Sequence, residues 1–309
     1  MRKKQFLFII SLVVIIFAII LFVGIKGCIR SHFSKDPYIN LYLTEEKTVI
    51  KMNLETYLIG CVAAEMPANF ELEALKAQAV CARTYALRKL IDNHPYPKKA
   101  NLSDDILSCQ AYVSVEDFYK RHPQKPEILL SKVKKAVKET EGIVMLYNGQ
   151  PIDALYHSTC GGRTASAEEV WGNKVPYLIS KKCSYCVDSK HYLSTQTFPF
   201  ADINQALATK ITFNSSIKIS QKSSSGRTLE INLGDTKISS LKLRQALKLP
   251  SNWVSLKSDA RGVTISCRGY GHGVGMCQYG ANGLALKGEA YKGILNHYYH
   301  NIDIYKINY

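Results

Sequence analysis

The sequence predicts an α+β protein. It has a mixed sheet core with packed helices and a smaller, inserted, mostly-β subdomain, behind one N-terminal transmembrane helix. Three observations predict this. Residues 6–25 form a nearly unbroken apolar run. Two adjacent segments after residue 53 carry helical periodicity. Elsewhere, short alternating runs are punctuated by Asn-Gly and Ser- and Lys-rich turns.

The apolar run from Phe6 to Ile25 is broken only by Ser11 and Gly24. It is long enough to cross a hydrocarbon core of about 30 Å as a helix. Arg2, Lys3 and Lys4 precede it, which favours a cytoplasmic N-terminus and an extracytoplasmic body. A cleaved secretory signal has a shorter apolar region and a small-x-small cleavage pattern, which does not follow cleanly here. The expected layout is a tail at 1–5, an anchor at 6–25, a linker at 26–36 and a body at 37–309, with a subdomain at about 195–260.

The chain has 309 residues, 46% hydrophobic and 21% charged, which excludes a disordered protein. Lys plus Arg number 40 against 25 Asp plus Glu, a formal +15 spread along the chain. Such a surface attracts anionic polymers. Inside a cell that would suggest nucleic acid. For an anchored extracytoplasmic body it suggests wall polymers and lipid head groups, so no nucleic-acid partner is expected.

Along the body, residues 37–50 alternate as strands and lead into a helix capped by Asn53. Leu54, Tyr57, Leu58, Cys61 and Val62 share one face of that helix. Glu65 comes round to the same face and Pro67 stops the helix. A second, Ala-rich helix runs from Glu71 to about Ile91 with Asn69 as its expected cap, and Leu75, Ala79, Ala82 and Ala86 form a stripe of small residues. Residues 93–127 read as an irregular excursion with four prolines, and Leu129 to Glu141 as a basic helix closed by Gly142. A hairpin follows, Ile143 to Tyr147 and Ile152 to His157 about Asn148-Gly149. Short strands and small helices near 200–209 and 240–247 make up the subdomain. A glycine-rich stretch at 261–283 and helical segments near 277–287 and 290–299 close the chain.

Four constellations could carry chemistry. Glu65 lies on an apolar helix face and in the last helical turn; both raise a carboxyl pKa toward the range of a general acid. The alternative is a glutamate in solvent, or one paired with Arg83 or Lys76. The turn from His157 to Gly162 is a hydroxyl-rich loop at a strand end. The run from Arg268 to Ala281 alternates glycines with Tyr270, His272 and Met276, so its backbone turns tightly or approaches a ligand closely. Cys183 and Cys186 have the spacing of a zinc vertex pair, with Cys160, His157 and His191 as possible companions; a disulfide or a free pair is the alternative. With nine cysteines, an odd number, and Cys61 and Cys81 inside helical patterns, no full disulfide framework is inferred.

Three long segments occur in order. They are Glu65-Met66-Pro67 with Glu73 to Ala86; Tyr156 to Gly162 with Glu169-Val170-Trp171-Gly172 and Val175 to Leu178; and Gly269 to Gly280. With these, nearly the whole body resembles the stage II sporulation protein D family, which shares a domain with amidase-enhancer proteins. The resemblance implies a membrane-anchored lytic transglycosylase that cuts the MurNAc-GlcNAc bond of peptide-free peptidoglycan strands during spore engulfment, with Glu65 as acid and then base. It implies that Lys76, Gln78, Arg83, His157, Ser158, Tyr270, His272, Gln278 and Tyr279 bind substrate. It further implies stage II sporulation protein P, an amidase and endopeptidase, and the engulfment membrane complex as partners. The competing reading is a wall-binding module that enhances a partner amidase without cutting. The chemistry needs no cofactor, and the candidate ligands of a structural zinc are Cys160, Cys183, Cys186 and His191. Cys160 and Cys277 depart from the serine of relatives, which points to a zinc-carrying branch.

Overall fold

A computed structural model describes residues 37–308. The expected anchor at 6–25 lies outside them; among the described residues no helix is long and apolar enough to cross a membrane.

The body begins with an antiparallel hairpin, β1 (Tyr38–Leu43) and β2 (Thr48–Asn53), which leads into α1 (Leu54–Glu65). The Asn53 side chain accepts from the Glu55 N–H, so the cap is as the sequence implies. The face of Leu54, Tyr57, Leu58, Cys61 and Val62 is wholly buried. Helix α2 (Leu72–Asp92) is the centre of the main core, touching α1 and, as they arrive later in the chain, five further elements. Its residues Leu75, Ala79, Ala82 and Ala86 are fully buried, and their small size lets those neighbours approach. Asn69 does not cap this helix. Glu71 holds the cap position without a side-chain bond, and its N–H donates to Asn282 Oδ1 at 2.8 Å.

Between residues 93 and 127 lie β3 (Leu102–Ser103), parallel to β1, and α3 (Val115–Arg121). The segment is not a detached excursion. Residues 110–113 cover the far side of α1, where a Cβ on Gly60 would come 2.4 Å from the Tyr112 ring. Helix α4 (Pro126–Glu139) starts at its proline and packs on α1 and α2. Gly142, at φ +72, then turns the chain into β4 (Ile143–Tyr147).

The Asn148-Gly149 turn has positive φ at both residues, as its hairpin requires. Its second strand is only β5 (Gln150–Pro151). The expected strand to His157 breaks there, and β6 (Tyr156–His157) instead lies parallel to β13 (Met276–Cys277). Helices α5 (Ala167–Trp171), α8 (Gln278–Ala285) and α9 (Tyr291–Tyr298), with β14 (Asp303–Lys306) on β4, complete this part.

A second buried cluster, from Phe198 to Cys267, lies in two three-stranded antiparallel sheets. One contains β7 (Leu193–Phe198), β11 (Val254–Asp259) and β12 (Gly262–Arg268). The other contains β8 (Ile217–Lys222), β9 (Thr228–Leu233) and β10 (Thr236–Ser239), beside α6 (Phe200–Leu207) and α7 (Ser240–Ala246). The class is therefore α+β, but in place of one mixed sheet core the described residues hold five sheets of two or three strands, of which only β2-β1-β3 pairs both ways. The main core forms around α2, whose small residues do the work expected of a sheet face.

Candidate functional site

Glu65 is the last residue of α1, where the chain leaves the helix before Pro67. It lies at the junction of two clefts. The first, of about 500 Å³, is lined by Glu65, His157, Ser158, Trp171, Tyr270, His272 and Gln278, with residues 106–110 opposite. The second, of about 410 Å³, is lined by Glu65, Ser158, Arg121, His122, Lys190, His191, Gln278 and Tyr279. Glu65, Ser158 and Gln278 belong to both, so the two clefts adjoin at Glu65 and are treated together as one groove.

The carboxyl has a built environment. Its Oε1 accepts from the Ala111 N–H at 2.6 Å. The Tyr156 hydroxyl lies beside it and donates its one proton to Gln110 Oε1 at 2.9 Å. Burial pushes the Glu65 pKa up, while the Ala111 N–H pulls it down; burial wins. Among the described residues no cation pairs with it. The two candidate partners are engaged elsewhere: Lys76 with Glu73 and Glu139 at 2.6 and 2.7 Å, Arg83 in a two-pronged pair with Glu55.

The cleft wall is built by threading the Gly-rich loop onto the His157 turn. Thr159 and Tyr270 exchange backbone hydrogen bonds at 3.1 and 2.8 Å, and the Tyr279 N–H donates to the Ser158 carbonyl at 3.1 Å. The glycines make this approach possible. At Gly275, with φ +71, an added Cβ would lie 1.9 Å from the Leu155 carbonyl oxygen. His157 Nδ1 donates to the Val274 carbonyl at 3.0 Å, leaving Nε2 buried, unpartnered and able to accept. His272 accepts from the Val274 N–H through Nδ1 at 3.1 Å. Desolvation holds both imidazoles neutral, His157 well below the ordinary histidine range and His272 lowered to about 4.

The groove thus brings together Glu65, His157, Ser158, Tyr270, His272, Gln278 and Tyr279. Three expected substrate contacts do not line it. Arg83 is fully buried, its guanidinium held by Glu55 and by the carbonyls of Ile143 and Val137. Lys76 is tied down by its two carboxylates. Gln78 is buried behind the groove, where its Oε1 accepts from Gln278 Nε2, which also donates to the Glu65 carbonyl. Of the three, Gln78 supports the site from behind, through Gln278.

Sequence reasoning missed Tyr156, Gln110, the Ala111 N–H and Trp171 as groove groups. Tyr156 and Trp171 stood inside quoted motifs. Residues 106–111 carried no helical or strand signal. Trp171 and Tyr270 are 49% and 47% exposed, enough to present flat apolar faces in the groove.

The candidate metal ligands also need one correction. The sulfurs of Cys160, Cys183, Cys186 and Cys277 are buried and all within 4.8 Å of one another. His191 is not among them. Its ring lies 4.7 Å from that of Tyr270, in the groove, and Cys277 takes the fourth corner.

A family model described as Stage II sporulation protein matches residues 42–147. Stage II sporulation protein D of Bacillus subtilis (strain 168) is 37% identical over 268 residues, covering 86% of this chain and 78% of that protein. Its counterpart in Bacillus amyloliquefaciens is 35% identical over 266 residues, covering 85% and 77%. The amidase enhancer of Bacillus subtilis (strain 168) is 31% identical over 297 residues, covering 78% of this chain and 39% of that protein. Identity of this extent along most of both chains shows that the chain belongs to the stage II sporulation protein D family.

Proposed function

We propose that this chain is a lytic transglycosylase of peptidoglycan, cutting MurNAc-GlcNAc bonds of peptide-free strands during spore engulfment, with Glu65 as the single acid–base. The observation that carries this reading is that Glu65 is the one carboxylate among the described residues lining either cleft. Hydrolytic glycosidases generally need two carboxyl groups flanking the bond, one for the leaving oxygen and one for water or the sugar. A transglycosylase needs one. Protonated Glu65 gives its proton to the glycosidic oxygen. As carboxylate it then takes the proton of the sugar's own C6 hydroxyl, whose oxygen closes a 1,6-anhydro ring on C1. The carboxyl ends as it began, with no water consumed.

The groove suits this role. Two clefts share Glu65 in their lining, so a glycan strand can run past the acid. Trp171 and Tyr270 offer stacking faces for pyranose rings. His157, Ser158, His272, Gln278 and Tyr279 are placed to meet sugar hydroxyls, and Arg121 and Lys190 give one half a positive character suited to an anionic polymer. The apolar run at 6–25 would hold the body at the outer face of the cell membrane, beside the amidase and endopeptidase stage II sporulation protein P. That amidase, by removing stem peptides, would supply the substrate.

Likeness to an amidase enhancer favours a second reading, in which the groove binds glycan without cutting. Mass spectrometry of peptide-free glycan incubated with the purified chain separates the two. The first reading predicts fragments ending in anhydro-muramic acid. Intact strands, together with faster release by an added amidase, would establish the second.

A further inference from the structure

The four buried cysteines lie outside the acid–base chemistry, and their surroundings are those of a metal centre. Cys160 Sγ is 3.4 Å from Cys186 Sγ, and all four sulfurs fall within 4.8 Å. A tetrahedral zinc with bonds of about 2.3 Å spaces its sulfurs about 3.8 Å apart, so only small side-chain movements separate this arrangement from a ligand set.

Donors are aimed at the sulfurs. The N–H groups of Cys160 and Gly280 donate to Cys277 Sγ at 3.2 and 3.3 Å, and the Gly162 N–H to Cys160 Sγ at 3.4 Å. The Tyr298 hydroxyl is 3.2 Å from Cys183 Sγ. Such donors stabilise thiolates more than thiols. The Arg227 guanidinium is buried beside the cluster, donating to the carbonyls of Cys160 and Arg163 at 3.2 and 2.8 Å. Among the described residues no carboxylate lies within ion-pair distance of it. A zinc ion with four thiolates carries a net charge of −2, the counter-charge this arginine needs.

We propose that Cys160, Cys183, Cys186 and Cys277 bind one zinc ion in a closed structural site. Binding displaces one proton from each of the four thiols to solvent and leaves no open coordination position, so the metal takes no part in the chemistry. Its role is to hold the wall of the groove. Cys160 ends the His157 turn, Cys277 is the N-cap of α8 and directly precedes Gln278, and the loop carrying Cys183 and Cys186 joins them. One ion thus ties together three segments far apart in sequence. This inference is independent of glycan cleavage and fails or stands separately from it.

The test is metal content of the full-length chain, purified in detergent from zinc-supplemented cells. One zinc per chain is expected. Cobalt exchange should give the intense thiolate-to-metal absorption and tetrahedral bands of an all-sulfur site, and the four thiols should alkylate only after metal removal. Cys277→Ser should weaken zinc by more than the roughly 10–100-fold typical of losing a supporting hydrogen bond. His191→Ala should leave metal content unchanged. If a variant does not fold, zinc content and the cobalt spectrum of the unaltered chain decide. A metal-free chain with four freely alkylated thiols would overturn the proposal, as would a Cys160–Cys186 disulfide or zinc lost by His191→Ala.

Discussion

At the scale of single residues, the groove raises the pKa of one carboxyl without isolating it. Glu65 is only partly covered, yet burial raises its pKa from 4.5 against the Ala111 hydrogen bond that opposes the shift. If the protonated form is the acid that starts the reaction, kcat/KM falls as pH rises through the Glu65 pKa, at a pH above the ordinary glutamate value. A pH–rate profile checks this, and a limb at the ordinary value would contradict the assignment. The identity of Glu65 as a buried acid was legible in its helical spacing. Its partners were not, because Gln110 and Ala111 come from a segment without periodicity and Tyr156 from a strand whose pairing is non-local.

At the scale of elements, the site depends on how α1 is fixed against α2. Arg83 is the largest fully buried side chain among the described residues and joins the two helices through Glu55. A buried guanidinium with a charge partner is expensive to disrupt from one side, since it leaves the other charge uncompensated. Arg83→Ala should therefore cost about 3 kcal/mol of stability, read as a shift in the denaturant midpoint, with KM unchanged in the fraction that folds. An unchanged midpoint with a raised KM would restore Arg83 to the substrate contacts. The spacing of Lys76 and Arg83 placed both on one helix face but could not say what that face meets. The small-residue stripe was legible because burial of Ala79, Ala82 and Ala86 follows from composition and period alone. The hairpin was only half legible: Asn148-Gly149 demanded the turn, but nothing local marked the break after Pro151 that frees Tyr156 and His157 to pair with Met276 and Cys277.

At the scale of the whole molecule, three segments separated by about ninety or more residues, ending α1, following β6 and preceding α8, meet in one groove. The motifs announced which segments matter, and glycine at 269, 271, 273 and 275 announced a close approach. Its partner backbone, residues 155–160, required the fold. The second core was legible as a change of pattern. The fourth cysteine was not chosen because Cys277 lies 91 residues after Cys186 with no metal-ligand spacing between them. The proposed activity joins these scales: a lone, partly covered carboxyl beside two adjoining clefts would cut glycan with no second acid. Its most direct test is Glu65→Gln, with melting temperature and glycan binding measured to show an intact groove. Release of anhydro-ended fragments from peptide-free strands should fall by at least roughly 10²–10⁴-fold while binding is retained. Undiminished release of those fragments by a folded Glu65→Gln protein would contradict the account.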